Sequence, residues 1–264
     1  LYLGQAFNIL LLIWFKYSFY IAFLYGETAE IRIENIAIPV GISFYTFQQA
    51  VFLQECFHRD SLVIRYIWRT NNFIDRVRSF IRYTAFITFF PQLVIGPIVY
   101  LSEFAPQTAR KTFGIIRRRN VEIGSFFIIL GLFKKVVIAD NIGIIIDPVF
   151  ERAELGADIG ALAAWSASLG YYTQLYFDFS GYSEIATGTA RLFGLILPIN
   201  FDSPLKAVSI SDFYRRWHIT LTRVISRFLY TPLSVFGLRK SNNPNSARFH
   251  LLAIWIPLLI NFTA

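Results

Sequence analysis

The side chains equipped for chemistry gather in three places along this sequence. The first is SISDFYRRWHITLTRVISRFLYTP, residues 209–232, where His218 stands among Arg215, Arg216 and Trp217. Imidazole exchanges protons near neutral pH, so this stretch offers proton transfer beside fixed positive charge. The second is YYTQLYFDFSGYSEIATGTARLFG, residues 171–194, which sets Gln174, Asp178, Ser180, Tyr182 and Glu184 in an apolar run. Carboxylates at bilayer depth are costly, and are functional candidates for that reason. The third is FFPQLVIGPIV, residues 89–99, where Gln92 sits among helix breakers.

Around His218 the spacing predicts one helix. Ser209 or Ser211 can cap it, Asp212 favours the positive end of its dipole, and Pro232 stops it. Phe213, Trp217, Leu221, Val224 and Phe228 recur as an apolar stripe, with Arg216, Arg223 and Arg227 opposite. His218 falls at the boundary, on the side of Ser211, Tyr214, Arg215 and Thr222. On pattern alone this is a basic amphipathic helix anchored at a membrane surface, with an interfacial histidine. Asp178 and Glu184 are six residues apart and share no helical face unless Gly181 bends the chain. The plainer alternative ends a span at Gly181 and leaves both carboxylates at the interface. Gln92 either faces a polar tunnel or satisfies carbonyls freed by Pro91 and Pro97.

The elements that must position these residues are membrane helices. Of 264 residues 55% are hydrophobic, the mean hydropathy is +0.49, and several apolar runs approach the ~20 residues of a bilayer span. The expected class is all-α and polytopic. The net charge of +8 is spread between apolar segments, which points to cytoplasmic loops and not to nucleic acid. The single cysteine, Cys56, excludes an intrachain disulfide and a cysteine-based zinc cluster, and no metal is expected. The sequence opens on Leu1 and holds no methionine. It is expected to be part of one membrane domain spanning 1–264, with N-terminal and C-terminal helices missing.

In chain order, Leu1–Tyr25 predicts a span with Lys16 as its one charge, and 26–35 is acidic and external. Ile36–Phe57 predicts a second span, and His58–Arg82 a basic cytoplasmic loop with His58 solvated. Tyr83–Leu101 lies between two basic loops, the later being Ser102–Glu122, so it predicts a re-entrant segment entering and leaving on one face. Val121–Ile146 is the next apolar stretch, where Lys134, Lys135 and Asp140 require partners. Asp147–Asp158 is acidic and predicts an external loop. Ile159–Pro198 is too long for one span and predicts two helices, or a helix and a broken segment. Asn200–His250 is basic and cytoplasmic, with a turn at 241–246, and Phe249–Ala264 begins a last span.

RRWHITL, with SDFY before it and FLYTPL after, resembles the signature of the membrane-bound O-acyltransferases (MBOAT). IPVGISFYTFQQ, PQLVIGP, GLFKKVVIADN and the stretch 171–194 carry the likeness along most of the chain. The closest resemblance is to the bacterial branch that O-acetylates alginate, peptidoglycan and other envelope polysaccharides. It implies re-entrant and interfacial helices around a central tunnel in the bacterial cytoplasmic (inner) membrane. The implied reaction passes an acetyl group from a cytoplasmic thioester, acetyl-CoA or an acyl carrier, toward a polysaccharide. His218 matches one of the family's two histidines; the second has no position in this sequence. Gln92, Gln174, Asp178, Ser180, Tyr182 and Trp217 become tunnel or substrate residues. Arg215 and Arg216 become candidates for a phosphorylated donor or for lipid phosphate. A periplasmic acyltransferase partner is implied by analogy. Two other classes fit the residues alone: a transporter or flippase, from the broken helices and intramembrane charges, and a structural scaffold in which His218 is idle.

Overall fold

The computed structural model describes residues 1–25, 41–57, 63, 72–93 and 95–240. Every regular element among them is helical. The expected external segment 26–35, His58, the turn at 241–246 and the final apolar stretch lie outside the described residues. The chain divides into two compact units, Leu1–Pro198 and Ile199–Ala264.

In the first unit α1 (Tyr2–Tyr25) packs on α2 (Ile42–Phe57), and Gln5 Nε2 donates to the Ala50 carbonyl at 2.8 Å. Leu3, Phe7, Leu10 and Trp14 of α1 point outward. The segment expected to be re-entrant is broken. Helix α3 (Phe73–Ile87) gives way to the single turn α4 (Phe90–Leu93), then to non-helical backbone, then to α5 (Leu101–Thr108). The break is buried, since Pro91, Gln92 and 96–100 are all covered. Irregular buried backbone needs hydrogen-bond partners. Gln92 Nε2 donates to the Phe86 carbonyl at 2.7 Å and Gln48 Nε2 to the same oxygen at 3.1 Å, serving an acceptor that α3 leaves free. Glu55 of α2, 1% exposed, accepts from the Leu101 N–H at 2.8 Å and the Ser102 hydroxyl at 2.5 Å. A carboxylate there caps α5 at its positive end. Phe86, Val99, Leu101, Phe104, Leu195 and Leu197 form the core around this join.

Helix α6 (Arg118–Leu132), a π-helical turn at Phe133–Ala139 and α7 (Asp140–Glu154) follow one another without a break. Together they extend roughly 50 Å. The acidic segment expected as a loop from Asp147 is therefore helical through Glu154. Three of its four carboxylates lie on the last turns of α7, because apolar Ile144–Ile146 and Val149–Phe150 carry the helical pattern through it. Of the two readings of Ile159–Pro198, the two-helix one is overturned: a single helix is followed by non-helical residues 193–198. Helix α8 (Ala161–Leu192) is one continuous helix of 32 residues. It contains no proline, and Gly181 neither ends nor bends it out of helix. A Cβ on Gly181 would stand 2.8 Å from the Gly131 carbonyl oxygen, and one on Gly188 2.6 Å from that of Gly124. These glycines let antiparallel α6 and α8 touch backbone to backbone. Gly194, at φ +81°, closes α8, with the Leu195 N–H donating to the Ala190 carbonyl at 3.0 Å.

Among the described residues no helix is long and apolar enough to cross a membrane by itself. The longest, α8, carries Asp178, Glu184 and Arg191 along its length.

The second unit overturns the single helix expected through Pro232. Here α9 (Ile210–Arg216) and α10 (Ile219–Ile225) are separated by Trp217 and His218. Beyond α10 a π-helical turn, Ser226–Tyr230, leads into α11 (Thr231–Lys240). Pro232 does not stop the chain, because the wider turn ahead of it accommodates the ring.

Candidate active site

In the second unit the site is a helix break. Trp217 is extended, at φ −101° and ψ 127°, and His218 is left-handed, at φ 41° and ψ 54°. A side chain with a Cβ in that region costs on the order of 1–3 kcal/mol, and persists only where neighbours impose it. Asn200 is the principal neighbour. Its carbonyl accepts from the Ile219 N–H at 2.9 Å. Its Oδ1 accepts from the Thr220 hydroxyl at 2.6 Å and the Thr220 N–H at 3.4 Å, and both residues are buried. On the other side the Asp202 N–H donates to the Arg216 carbonyl at 3.0 Å. The Thr222 N–H donates to the His218 carbonyl and so starts α10.

Trp217 is fixed by aromatic packing. It stacks on Phe213 at 5.5 Å and 19°, and meets Phe201 edge-on at 5.1 Å and 87°. Arg216 does not lie on an outer face of a single helix, as the spacing predicted. Its Nε donates to Asp212 Oδ1 at 3.0 Å, and its Nη1 to the Asp202 carbonyl at 3.3 Å, with the Asp202 carboxylate at 3.7 Å. It staples α9 to the preceding loop. Of the two candidate caps Ser209 serves, its hydroxyl accepting from the Asp212 N–H at 3.1 Å. Asp212 in turn accepts from the Val208 N–H at 3.3 Å. The Arg216 hydrogen bond and then the Val208 N–H hold the Asp212 carboxyl below its ordinary pKa. Arg215 is exposed.

Burial pushes the His218 imidazole down to about 4. It is therefore neutral around pH 7, the form that can accept a proton. The linkage follows. Between about pH 4 and the ordinary histidine value the unfolded chain binds the extra proton, so this group lowers stability as the pH falls through that window.

In the first unit, the π-helical turn meets α8 through charge. Lys134 pairs with Glu184, and Lys135 Nζ lies 2.7 Å from both Asp140 and Asp178. Successive helical residues point about 100° apart, and residues six apart diverge by about 120°. Two adjacent lysines thus match two carboxylates that share no face, and no bend at Gly181 is needed. Lys135 also sits 5.6 Å from the Tyr182 ring centroid. Tyr182 lines a groove of about 220 Å³ with Phe90, Pro91, Gly96 and Thr189. Gln174 packs against Gly143, where an added Cβ would stand 2.7 Å from its Nε2. Ser180 is buried, its hydroxyl 3.5 Å from the Phe177 carbonyl. The Gln92 amide is engaged with the Phe86 carbonyl. The selected residues thus fall into two sets, one along α8 and its neighbours, the other at the break between α9 and α10. Among the described residues no group of His, Cys, Asp and Glu is placed to hold a metal ion.

Three partners escape the sequence reading. Asn200 and Thr220 are ordinary turn and helix residues by type. Glu55 had a signal, a lone carboxylate in the apolar run VFLQECF.

Residues 47–255 match the model of the MBOAT, membrane-bound O-acyltransferase family. The chain is 38% identical over 246 residues to a peptidoglycan O-acetyltransferase of Helicobacter pylori, covering 88% of this chain and 46% of that protein. It is 32% identical over 239 residues to a probable alginate O-acetylase AlgI of Pseudomonas syringae, covering 88% and 42%. With a teichoic acid D-alanyltransferase of Streptococcus thermophilus it shares 27% identity over 206 residues, covering 76% and 45%. The chain spans less than half the length of each of these relatives. A family match over most of the chain, including the break at His218, shows that it belongs to the membrane-bound O-acyltransferases.

Proposed function

We propose that this chain is the part of an envelope O-acyltransferase that carries one of its catalytic bases. The reaction is transfer of an acetyl group from a cytoplasmic thioester, acetyl-CoA or an acyl carrier, toward a cell-envelope polysaccharide. His218 serves in proton transfer at the cytoplasmic side of a polar tunnel, with Trp217 beside it. Arg215, exposed where Arg216 is hydrogen-bonded to Asp212, is the better candidate for a phosphorylated donor. Gln174, Asp178, Ser180, Tyr182 and Gln92 belong to the tunnel wall. The setting is the bacterial inner membrane, crossed several times, within one domain larger than this chain. A separate periplasmic transferase completes delivery.

The observation that carries this reading is the left-handed His218 between two helices, held by Asn200 and kept neutral by burial. The test is His218→Ala in the full-length protein, expressed in cells lacking the native enzyme, with membrane levels matched. Acetylation should fall by roughly a hundredfold or more, the usual scale of acid–base assistance. Unchanged acetylation at equal protein level would remove the catalytic role. Turnover of labelled acyl thioester by the detergent-solubilised protein separates a transferase from a transporter, which needs a sealed vesicle.

A further inference from the structure

Among the described residues two that are not glycine have left-handed backbone, Ser203 at φ 49° and His218 at φ 41°. They lie on two stretches joined by main-chain hydrogen bonds. The Asp202 N–H donates to the Arg216 carbonyl at 3.0 Å and the Ile219 N–H to the Asn200 carbonyl at 2.9 Å, so 200–202 runs antiparallel to 216–219. Phe201, between Asn200 and Asp202, adds its edge-on contact with Trp217 at 5.1 Å. Ser203 is strained further by Pro204, which drives the residue before it toward extended backbone. Pro204 itself is fully buried.

One side chain closes the loop 203–208 at both ends. At its start, Arg216 Nη1 donates to the Asp202 carbonyl at 3.3 Å and lies 3.7 Å from the Asp202 carboxylate. At its end, Arg216 Nε donates to Asp212 Oδ1 at 3.0 Å, while Asp212 Oδ2 accepts from the Val208 N–H at 3.3 Å. A planar guanidinium can hold two such partners at once; the single ammonium of a lysine on a flexible stem cannot.

We propose that Arg216, bridged between Asp202 and Asp212, is a positioning residue that sets the left-handed turn at His218, a role that rests on the reading of His218 as a base. Holding Asp202 fixes Asn200 two residues earlier, and Asn200 holds Ile219 and Thr220 just beyond the turn. Two carboxylates around one guanidinium leave the cluster net negative, which disfavours a phosphate there. The fork therefore serves the fold of the site, and the donor's charge falls to other residues.

The test compares variants of the full-length protein in detergent, each taken as its folded, monodisperse fraction. The readout is turnover of labelled acetyl-CoA, or of labelled acetyl-carrier protein where the parent accepts that donor instead. Arg216→Lys keeps the charge and loses the fork. Its kcat should fall by at least about tenfold, within the scale on which misplacing a reacting group acts, with the donor KM inside about twofold of the parent's. Asp212→Asn should repeat that split, and carries the test if Arg216→Lys does not fold. In an Asn200→Ala background Arg216→Lys should cost little more, because both act through one loop, whereas independent effects would multiply. A raised KM with kcat intact would make Arg216 a donor anchor and overturn the proposal, as would losses that multiply. Full turnover by Arg216→Lys beside an inactive His218→Ala would overturn this role alone. Full turnover by His218→Ala would overturn the catalytic reading and this role with it.

Discussion

At His218 the backbone is in a conformation that the side chain alone would not choose, so the cause lies in its neighbours. Asn200 binds the two residues that follow His218 from both its main chain and its side chain. Asn200→Ala removes the acceptor from a buried hydroxyl and a buried N–H, which costs about 1–3 kcal/mol when such groups are left unsatisfied. The expected outcome in the full-length protein is a lower melting temperature together with a fall in the turnover rate larger than any change in apparent donor affinity. A variant with normal turnover would show that the left-handed turn holds without this clamp. None of this was legible in the residues. RRWH gave the imidazole and its setting, but helical spacing ran straight through Trp217 and His218, since no glycine or proline marks the break. The break is held by hydrogen bonds from Ile219 and Thr220 to Asn200, 19 and 20 positions earlier in the chain, and periodicity carries no record of such partners.

Among the elements, the charged residues near the π-helical turn were legible as needing partners, and Lys134 and Lys135 have them. The partners themselves depend on how α6 meets α8, which the glycines decide. Gly124 and Gly131 are seven residues apart, as are Gly181 and Gly188, and each pair faces the other across the helix contact. That spacing was in the sequence, yet Gly181 alone looked like a terminator. Gly131→Ala would place a Cβ 2.5 Å from the Gly181 carbonyl oxygen, so a backbone must move. Such overpacking should cost about 1–3 kcal/mol, seen as a lower melting temperature. Gly160→Ala, with open space around its Cβ position, is the control and should lose only the N-cap preference of glycine over alanine, under ~1 kcal/mol. Equal melting temperatures for the two variants would show that the helices are not in backbone contact. The broken segment after α3 was read from its two prolines and its glycine, and there the local residues do decide, because proline removes the donors that a helix needs.

For the whole molecule, hydrophobic composition made the all-helical class legible and the likeness of RRWHITL and the other motifs made the family so, and exposed apolar side chains fit a protein that lipid surrounds. Spans were less legible, because length and hydropathy do not reveal where a helix continues past its apolar run, as α7 does through Glu154. The proposed topology puts the turn before α6 inside the cell and the turn after α7 outside. Single cysteines at Arg110 and Leu155, in a Cys56→Ser background, should therefore react with an impermeant reagent from opposite sides of the membrane. Labelling of both from one side would refute that arrangement. The contact of α6 with α8 has a mechanical consequence. Where two backbones touch at glycine there is no side chain to repack, so sliding one helix along the other would drive a Cβ or a carbonyl into the opposing main chain. The pair therefore behaves as a stator. In the proposed transfer, any rearrangement for donor entry or acyl release is therefore expected in other elements, with the lysine–carboxylate pairs beside the glycines held in place.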